Sequence, residues 1–265
     1  MMNVDPSFYV NVDLTNPGQF FACCGLLEMA HRIWPGAEGW FNDHRFSIAL
    51  QKQANGTLRH LIDQLSRSIW LENKRRGCKS IYPIYCDFFS LELDWWLRPD
   101  WYRFKDKPMD KRIKLMSSQL KLWAGNQSSS QITSDLIRAI LTRSRIIQPE
   151  DLLNSLVPLK GRFGIDYRSA WNSLDIGFSP NAQQMSVNTY PAVEMLGAIG
   201  LQRFRPISEN NGNLVYVTWH APLSICVASA LGSASISPSI IKKWRFSIDS
   251  RGSFKGFSMA LPNGD

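Results

Sequence analysis

The stretch Thr189–Pro206, TYPAVEMLGAIGLQRFRP, decides how the chain is organised. Thr189 or Tyr190 stands where a helix cap is needed, and Pro191 suits the first turn, where its missing N–H costs nothing. Glu194 falls near the positive end, where a carboxylate is favoured. Met195, Leu196, Ile199 and then Arg203 or Phe204 recur at helical spacing, so the middle belongs to a core. Gly197 and Gly200 weaken a helix but permit close approach by another element. Arg203 and Arg205 lie at the negative end, where cations are favoured, and Pro206 stops the helix. Gln202, Arg203 and Arg205 are then left for a partner.

A similar layout occurs near the N-terminus. FYVNVDL (Phe8–Leu14) alternates like a strand. It feeds into NPGQFFACCGLLEMAHRIWPG, where Asn16 is a good cap, Pro17 fits the first helical position and Gln19 stands three residues after the cap. Phe20, Cys23 or Cys24, Leu27, Ala30 and Trp34 follow at helical spacing until Pro35-Gly36. Asn16, Gly18 and Gln19 sit at the positive end, where backbone N–H groups suit a phosphate; capping alone explains them equally well. The two segments share an early proline, an apolar helix with Gly and Glu-Met, an arginine and a final proline. They suggest a loosely duplicated strand–helix unit.

Working outward, RFSIAL (Arg45–Leu50), Tyr85–Leu97 and LVYVTW (Leu214–Trp219) read as strands. Helices are expected after Gly56, from Ser134 to Ile147, and from Pro149. Asn126–Ile132 reads as a turn, and residues 158–189 as a long loop of the kind that is more often functional than idle. Residues 222–231 are a buried helix or strand, and the C-terminal segment a hairpin around Ser250–Gly252. Helices and strands alternate irregularly, so the expected class is α+β, with mixed or antiparallel sheets and several packed helices. Residues 1–150 make an N-terminal α+β region and 151–265 a C-terminal one, with a single continuous domain as the alternative.

The formal charge is +8, and the chain holds ten tryptophans and 14 phenylalanines. Cations interleaved with aromatic rings favour nucleic acid as a partner, although most aromatics fill cores. The densest such run spans Arg98–Lys114: Arg98, Arg103, Lys105, Lys107, Lys111 and Arg112 lie among Trp101, Tyr102 and Phe104. Its alternative is a solvated loop whose rings fold back. Lys160, Arg162 and Arg168 in the long loop, and Lys242, Lys243 and Arg245 near the C-terminus, complete the candidate contacts.

The chemistry of catalysis is not legible. No phosphate-binding loop, dinucleotide fingerprint, nucleophile elbow or zinc-deaminase pattern occurs. The four histidines, His31, His44, His60 and His220, form no recognised ligand pair. Glu92 and Asp94 share one face of a strand, which is better read as solvated than as a metal site. The expectation is no enzyme, no cofactor and no metal. Five cysteines without C-x-x-C spacing, no apolar run of about 18 residues and no basic-apolar leader fit a cytoplasmic protein without a membrane partner.

Four segments are distinctive together: NPGQFFACCGLLEMAHRIWPGAEGWF, LKLWAGNQ, RFGIDYRSAWNSLDIGFSPNAQQMSVNTYPAVEMLGAIGLQRFRP and YVTWHAPL. In order and wording they resemble a subunit family of type I-G (formerly I-U) CRISPR–Cas surveillance complexes, over about Val12–Leu223. The resemblance implies the large-subunit-type protein of an RNA-guided complex. Such a subunit contacts the 5′ end of the guide RNA, engages target DNA as duplex and as opened single strand, and helps recognise the adjacent motif. Its partners are the other Cascade subunits and the helicase–nuclease. The alternatives are a standalone metal-dependent nuclease using Glu92 and Asp94, or a protein–protein scaffold.

Overall fold

A computed structural model describes residues 4–51, 54–70, 82–86, 89–100, 114–123, 128–168, 183, 185–209, 211–233, 241–251 and 254–263. It has the α+β class, with antiparallel sheets and packed helices.

Helix α1 (Pro17–Ile33) starts where the local chemistry requires: the Asn16 side chain accepts the Gln19 N–H at 3.3 Å, and Pro17 opens the first turn. Helix α4 (Pro191–Gly200) is capped by Tyr190 without a side-chain hydrogen bond. It ends at Gly200, short of the expected Pro206, because Leu201–Arg203 turn away. Both helices are buried around most of their circumference, from Pro17 to Ala30 in α1 and throughout α4. They lie against each other through glycine. A Cβ on Gly25 would collide with the Leu196 carbonyl, and one on Gly200 with the Phe21 carbonyl. The close approach expected at Gly200 is therefore a contact between two helix backbones.

Strands β1 (Phe8–Asn11), β2 (Glu38–Asn42) and β3 (Arg45–Ala49) join a short β13 (Leu223–Ser224) in one antiparallel sheet, ordered β1-β3-β2-β13. A second antiparallel sheet has the order β11-β12-β14-β17, from Ile207–Ser208, Leu214–Trp219, Ile241–Phe246 and Leu261–Pro262. Helices α1 and α4 are thus each preceded by a strand and followed by a two-strand unit: β1 and β2–β3 around α1, β10 (Val187–Thr189) and β11–β12 around α4. Helix α5 (Ile225–Ser233) contacts β12, which decides the helix-or-strand question at residues 225–233.

Four expectations are corrected. Tyr85–Leu97 is not one strand: β5 (Tyr82–Cys86) and β6 (Phe89–Leu93) pair antiparallel, Tyr82 opposite Leu93, and a short β4 (Ile69–Trp70) extends the sheet. Helix α3 runs from Ser129 to Ser144, so Ser134 is interior and Ser129–Ile132 are helical, not a turn. Pro149–Asn154 is a 3-10 helix. The C-terminal hairpin is confined to β15 (Ile248–Arg251) and β16 (Phe254–Phe257), while β14 pairs with β12. The remaining elements are α2 (Leu58–Arg67), the pair β7 (Leu97–Asp100) and β8 (Lys114–Ser117), and β9 (Val157–Leu159), which pairs with β10.

The core is strongly aromatic. Phe20, Phe21, Phe41, Phe46, Tyr216, Trp219, Phe246 and Phe257 form one continuous network, and Trp95, Trp96, Trp123 and Phe163 another. Among the described residues no helix is long and apolar enough to cross a membrane.

Candidate nucleic-acid interface

The residues proposed for phosphate or strand contact separate into two groups with opposite surroundings. The first lies where α1 and α4 begin, and it is buried. Glu194, fully buried, accepts the backbone N–H groups of Gly164, Ile165 and Asp166 at 2.9, 3.1 and 3.0 Å. Burial pushes its carboxyl upward from the ordinary range, against the opposing pull of those N–H donors and of Arg162. Asp166 accepts from the Asn16 amide at 3.0 Å and from Arg168, whose Nη2 lies 2.7 Å from Oδ2. Arg168 also donates to Asn154 and to the Leu153 carbonyl, and its guanidinium lies 3.8 Å over the Tyr190 ring. Burial alone would lower its pKa; the hydrogen bonds and charge of Asp166 more than reverse this, so it stays firmly cationic. Gln19 bonds the Asp13 N–H and Asn154.

These facts correct the placement of Asn16, Gly18, Gln19 and Arg168 as contacts for an outside phosphate. The positive end of α1 is already served by its own cap, and a Cβ on Gly18 would come 2.7 Å from the Ile165 carbonyl oxygen. The protein has supplied its own anion, Asp166. Arg162 is half-buried overall, with its Nη1 buried and without a hydrogen-bond partner among the described residues; burial lowers its pKa while Glu194 and Asp166 oppose that. It too belongs to this node. Glu194, read from the sequence as a dipole partner, instead clamps the 164–166 backbone.

The second group is exposed or half-buried. Arg203 and Arg205 follow α4 beside a cavity of about 350 Å³, lined also by Phe20, Phe21, Phe204, Val215, Tyr216, Val217 and Ala228–Ala230. The register of the second sheet pairs Val215 with Arg245 and Val217 with Lys243. Residues directly opposite in an antiparallel pair share a face. Lys243 and Arg245 therefore extend the face whose Val215 and Val217 line the cavity. Lys242 points to the other face, where its ammonium lies 4.5 Å from the Trp244 ring centre. Lys160 is exposed just past β9.

None of these arginines is without an internal partner, contrary to the expectation for Arg203 and Arg205. Arg203 Nε lies 2.7 Å from Glu28 Oε2, and Arg32 Nε 2.6 Å from Glu28 Oε1. Burial would raise the Glu28 carboxyl, but hydrogen bonds and charge from Arg203 and Arg32 bring it below the ordinary carboxylate range. Glu28 is 2% exposed, so if Arg203 left, this buried carboxylate would keep Arg32 but lose the partner of its second oxygen. Arg205 differs. Its Nη2 lies 3.1 Å from Asp94 Oδ1, with the side chains 48% and 50% exposed. Such a pair contributes about 0–1 kcal/mol and exchanges readily for another anion. Arg245 is held by Glu209 at 3.0 Å, also partly exposed. Gln202 is occupied: it bonds the Ala198 carbonyl and the Asp94 N–H. Asp94, the acid paired in the sequence with Glu92 as a candidate cation site, gives one carboxylate oxygen to Arg205, while its backbone N–H donates to Gln202.

Arg98 lies on β7, and Trp101, Arg103, Lys105, Lys107, Lys111 and Arg112 lie outside the described residues. Sequence reasoning missed Asp166, Glu28 as an anchor, and Phe204 as a cavity wall. The i,i+4 spacing of Glu28 and Arg32 was the one visible signal. Comparison with protein-family models, with curated proteins and with solved structures finds no match.

Proposed function

We propose that the chain is a non-catalytic, nucleic-acid-binding subunit of an RNA-guided DNA surveillance complex of the type I-G CRISPR–Cas kind. One observation carries the binding part of this reading. Two basic groups far apart in sequence, Arg203/Arg205 and Lys243/Arg245, border one aromatic-lined cavity and its sheet face. Cations clustered on one face suit a polyphosphate chain. The assignment to a surveillance complex rests on the sequence resemblance. In that role the subunit contacts the guide RNA or target DNA, contributes to recognition of the adjacent motif, and meets neighbouring subunits and the helicase–nuclease. It works in the cytoplasm, without a metal or cofactor of its own.

Binding of the full-length protein to labelled RNA and DNA, titrated with salt, tests the interface. Affinity is expected to fall steeply as salt rises, because each neutralised phosphate releases counterions. Salt-independent binding, or none, defeats it. Co-purification with guide RNA and the neighbouring gene products tests the complex; a chain that never enters a ribonucleoprotein defeats that part.

A further inference from the structure

The first sheet ends on β1, which pairs with β3 and leaves its other edge without a strand among the described residues. Position along the strand fixes which main-chain groups face that edge. Val12 donates its N–H to the His44 carbonyl at 2.8 Å, in the register that sets Asn11 opposite Arg45. Along an antiparallel pair, residues alternate between those that bond across it and those that do not. Phe8, Val10 and Val12 therefore serve the ladder with β3, and Tyr9 and Asn11 turn their N–H and C=O groups outward. At Asn11 the edge is closed, because its side chain donates to Asp151 of the 3-10 helix Pro149–Asn154 at 2.9 Å. At Tyr9 it is open. A groove of about 380 Å³ lies between Phe8 and Tyr9 on one side and Pro149 and Glu150 on the other, with Leu58 and Arg59 at the start of α2 along it. Among the described residues the Tyr9 N–H and C=O have no hydrogen-bond partner, and Arg59 and Glu150 form no ion pair.

We propose that this edge takes an extended peptide segment of a partner protein, paired with the main chain of Tyr9 and with one apolar side chain in the groove. The proposal goes beyond the nucleic-acid reading and does not rest on it. An unpaired strand edge is a template for another main chain, and strand addition draws affinity from main-chain bonds and specificity from the side-chain pockets beside them. A phosphate backbone is a poor match, because it offers acceptors to the Tyr9 N–H but no donor to the Tyr9 carbonyl. The Tyr9 side chain stays on the sheet face, where the Arg45 guanidinium lies 4.5 Å from its ring centre, so it leaves the edge clear. Phe8, Leu58 and Pro149 supply the apolar surface for the inserted side chain. Arg59 and Glu150 supply one charge of each sign. The complementary peptide carries an acidic and a basic residue about its apolar one, and the two charges set its direction. A second copy of this chain is the poorer occupant, since each copy brings a formal charge of +8.

Short random peptides displayed on phage and selected against the full-length protein supply the probe. Enriched sequences are expected to hold an apolar residue between an acidic and a basic one. The synthetic peptide should slow hydrogen exchange at the Tyr9 amide and leave Val10, already in the ladder, unchanged. Methylating the peptide nitrogens one at a time should weaken binding about five-fold or more at one of them, the effect of one lost hydrogen bond. Tyr9→Pro should weaken it similarly relative to Tyr9→Ala, because proline removes an N–H that the ladder does not use. Salt-dependent binding of nucleic acid should be the same in both variants. A selection that yields no peptide protecting Tyr9 overturns the proposal, as do methylated peptides that all bind like the parent. A concentration-dependent dimer of the unaltered protein, lost in Tyr9→Pro, gives the edge to a second copy and overturns the partner peptide. Each of these results leaves the nucleic-acid reading standing, and a protein that takes the peptide but no nucleic acid defeats only that reading. The methylated peptides need no variant, so a misfolded Tyr9→Pro protein does not decide the outcome.

Discussion

The start of α4 and the stretch just beyond its end use the same chemistry in opposite ways. At the start, Arg168 meets Asp166 in a buried node where Glu194 also takes three backbone N–H groups. Beyond the end, Arg205 meets Asp94 at a similar distance, with both side chains about half exposed. Burial separates structure from availability. A desolvated arginine cannot abandon its carboxylate without a large penalty, whereas a solvated one exchanges partners at little cost. Arginines that look equivalent in a list of cations thus have different meanings.

The sharpest way to break this contrast is to empty the node. Glu194→Ala removes the acceptor for three N–H groups and should destabilise by about 3 kcal/mol or more. Chemical denaturation measures this; a loss under about 1 kcal/mol would show that water replaces the carboxylate. Arg168→Lys comes next. It keeps the charge but loses the bidentate bond to Asp166 and the stacking on Tyr190, and should cost about 2 kcal/mol.

Whether the buried node and the exposed arginines fall on one scale can be asked through Glu28, whose carboxyl is held below its usual 4.5 by Arg203 and Arg32 despite burial. A depressed carboxyl stabilises the fold above its unfolded pKa and loses that contribution as pH falls through the folded one. The stability advantage of the unaltered protein over Glu28→Gln should therefore be full at neutral pH and shrink below pH 4.5. A gap independent of pH would contradict the pairing. The smallest stability effect is expected at Arg205→Ala, within about 0.5 kcal/mol, because the pair is exposed. The same change should lower the slope of log affinity against log salt by about one, if Arg205 meets a phosphate.

Local chemistry was legible in the sequence, and long-range pairing was not. Asn16 and Pro17 announced the start of α1 because capping depends on neighbours three residues away. LVYVTW was bounded correctly as β12, an apolar run closed by turn residues. The start of α3 was misplaced because Ser128 caps it without a side-chain bond, so the more usual signal at Ser134 looked stronger. Strands β5 and β6 were read as one because Asp87 alone interrupts the aromatic and apolar run of the sequence between them. For the candidate site, the basic residues were visible but their availability was not. Arg203 is answered by Glu28 across 175 positions, and Asn16 by Asp166 across 150. No window along the chain reveals such partners. The loose resemblance of the two helical segments did carry information: they are the two helices that touch through Gly25 and Gly200.

That backbone contact has a consequence for how the protein is made. On the ribosome, α1 is complete long before residues 191–200 are synthesised, and of its 14 residues destined for burial those around Gly25 wait for α4 to cover them. Contacts of such large sequence separation close slowly and leave sticky surface exposed in the interval. A nascent chain stalled before residue 191 should be a strong chaperone client, and release from the chaperone should coincide with emergence of α4.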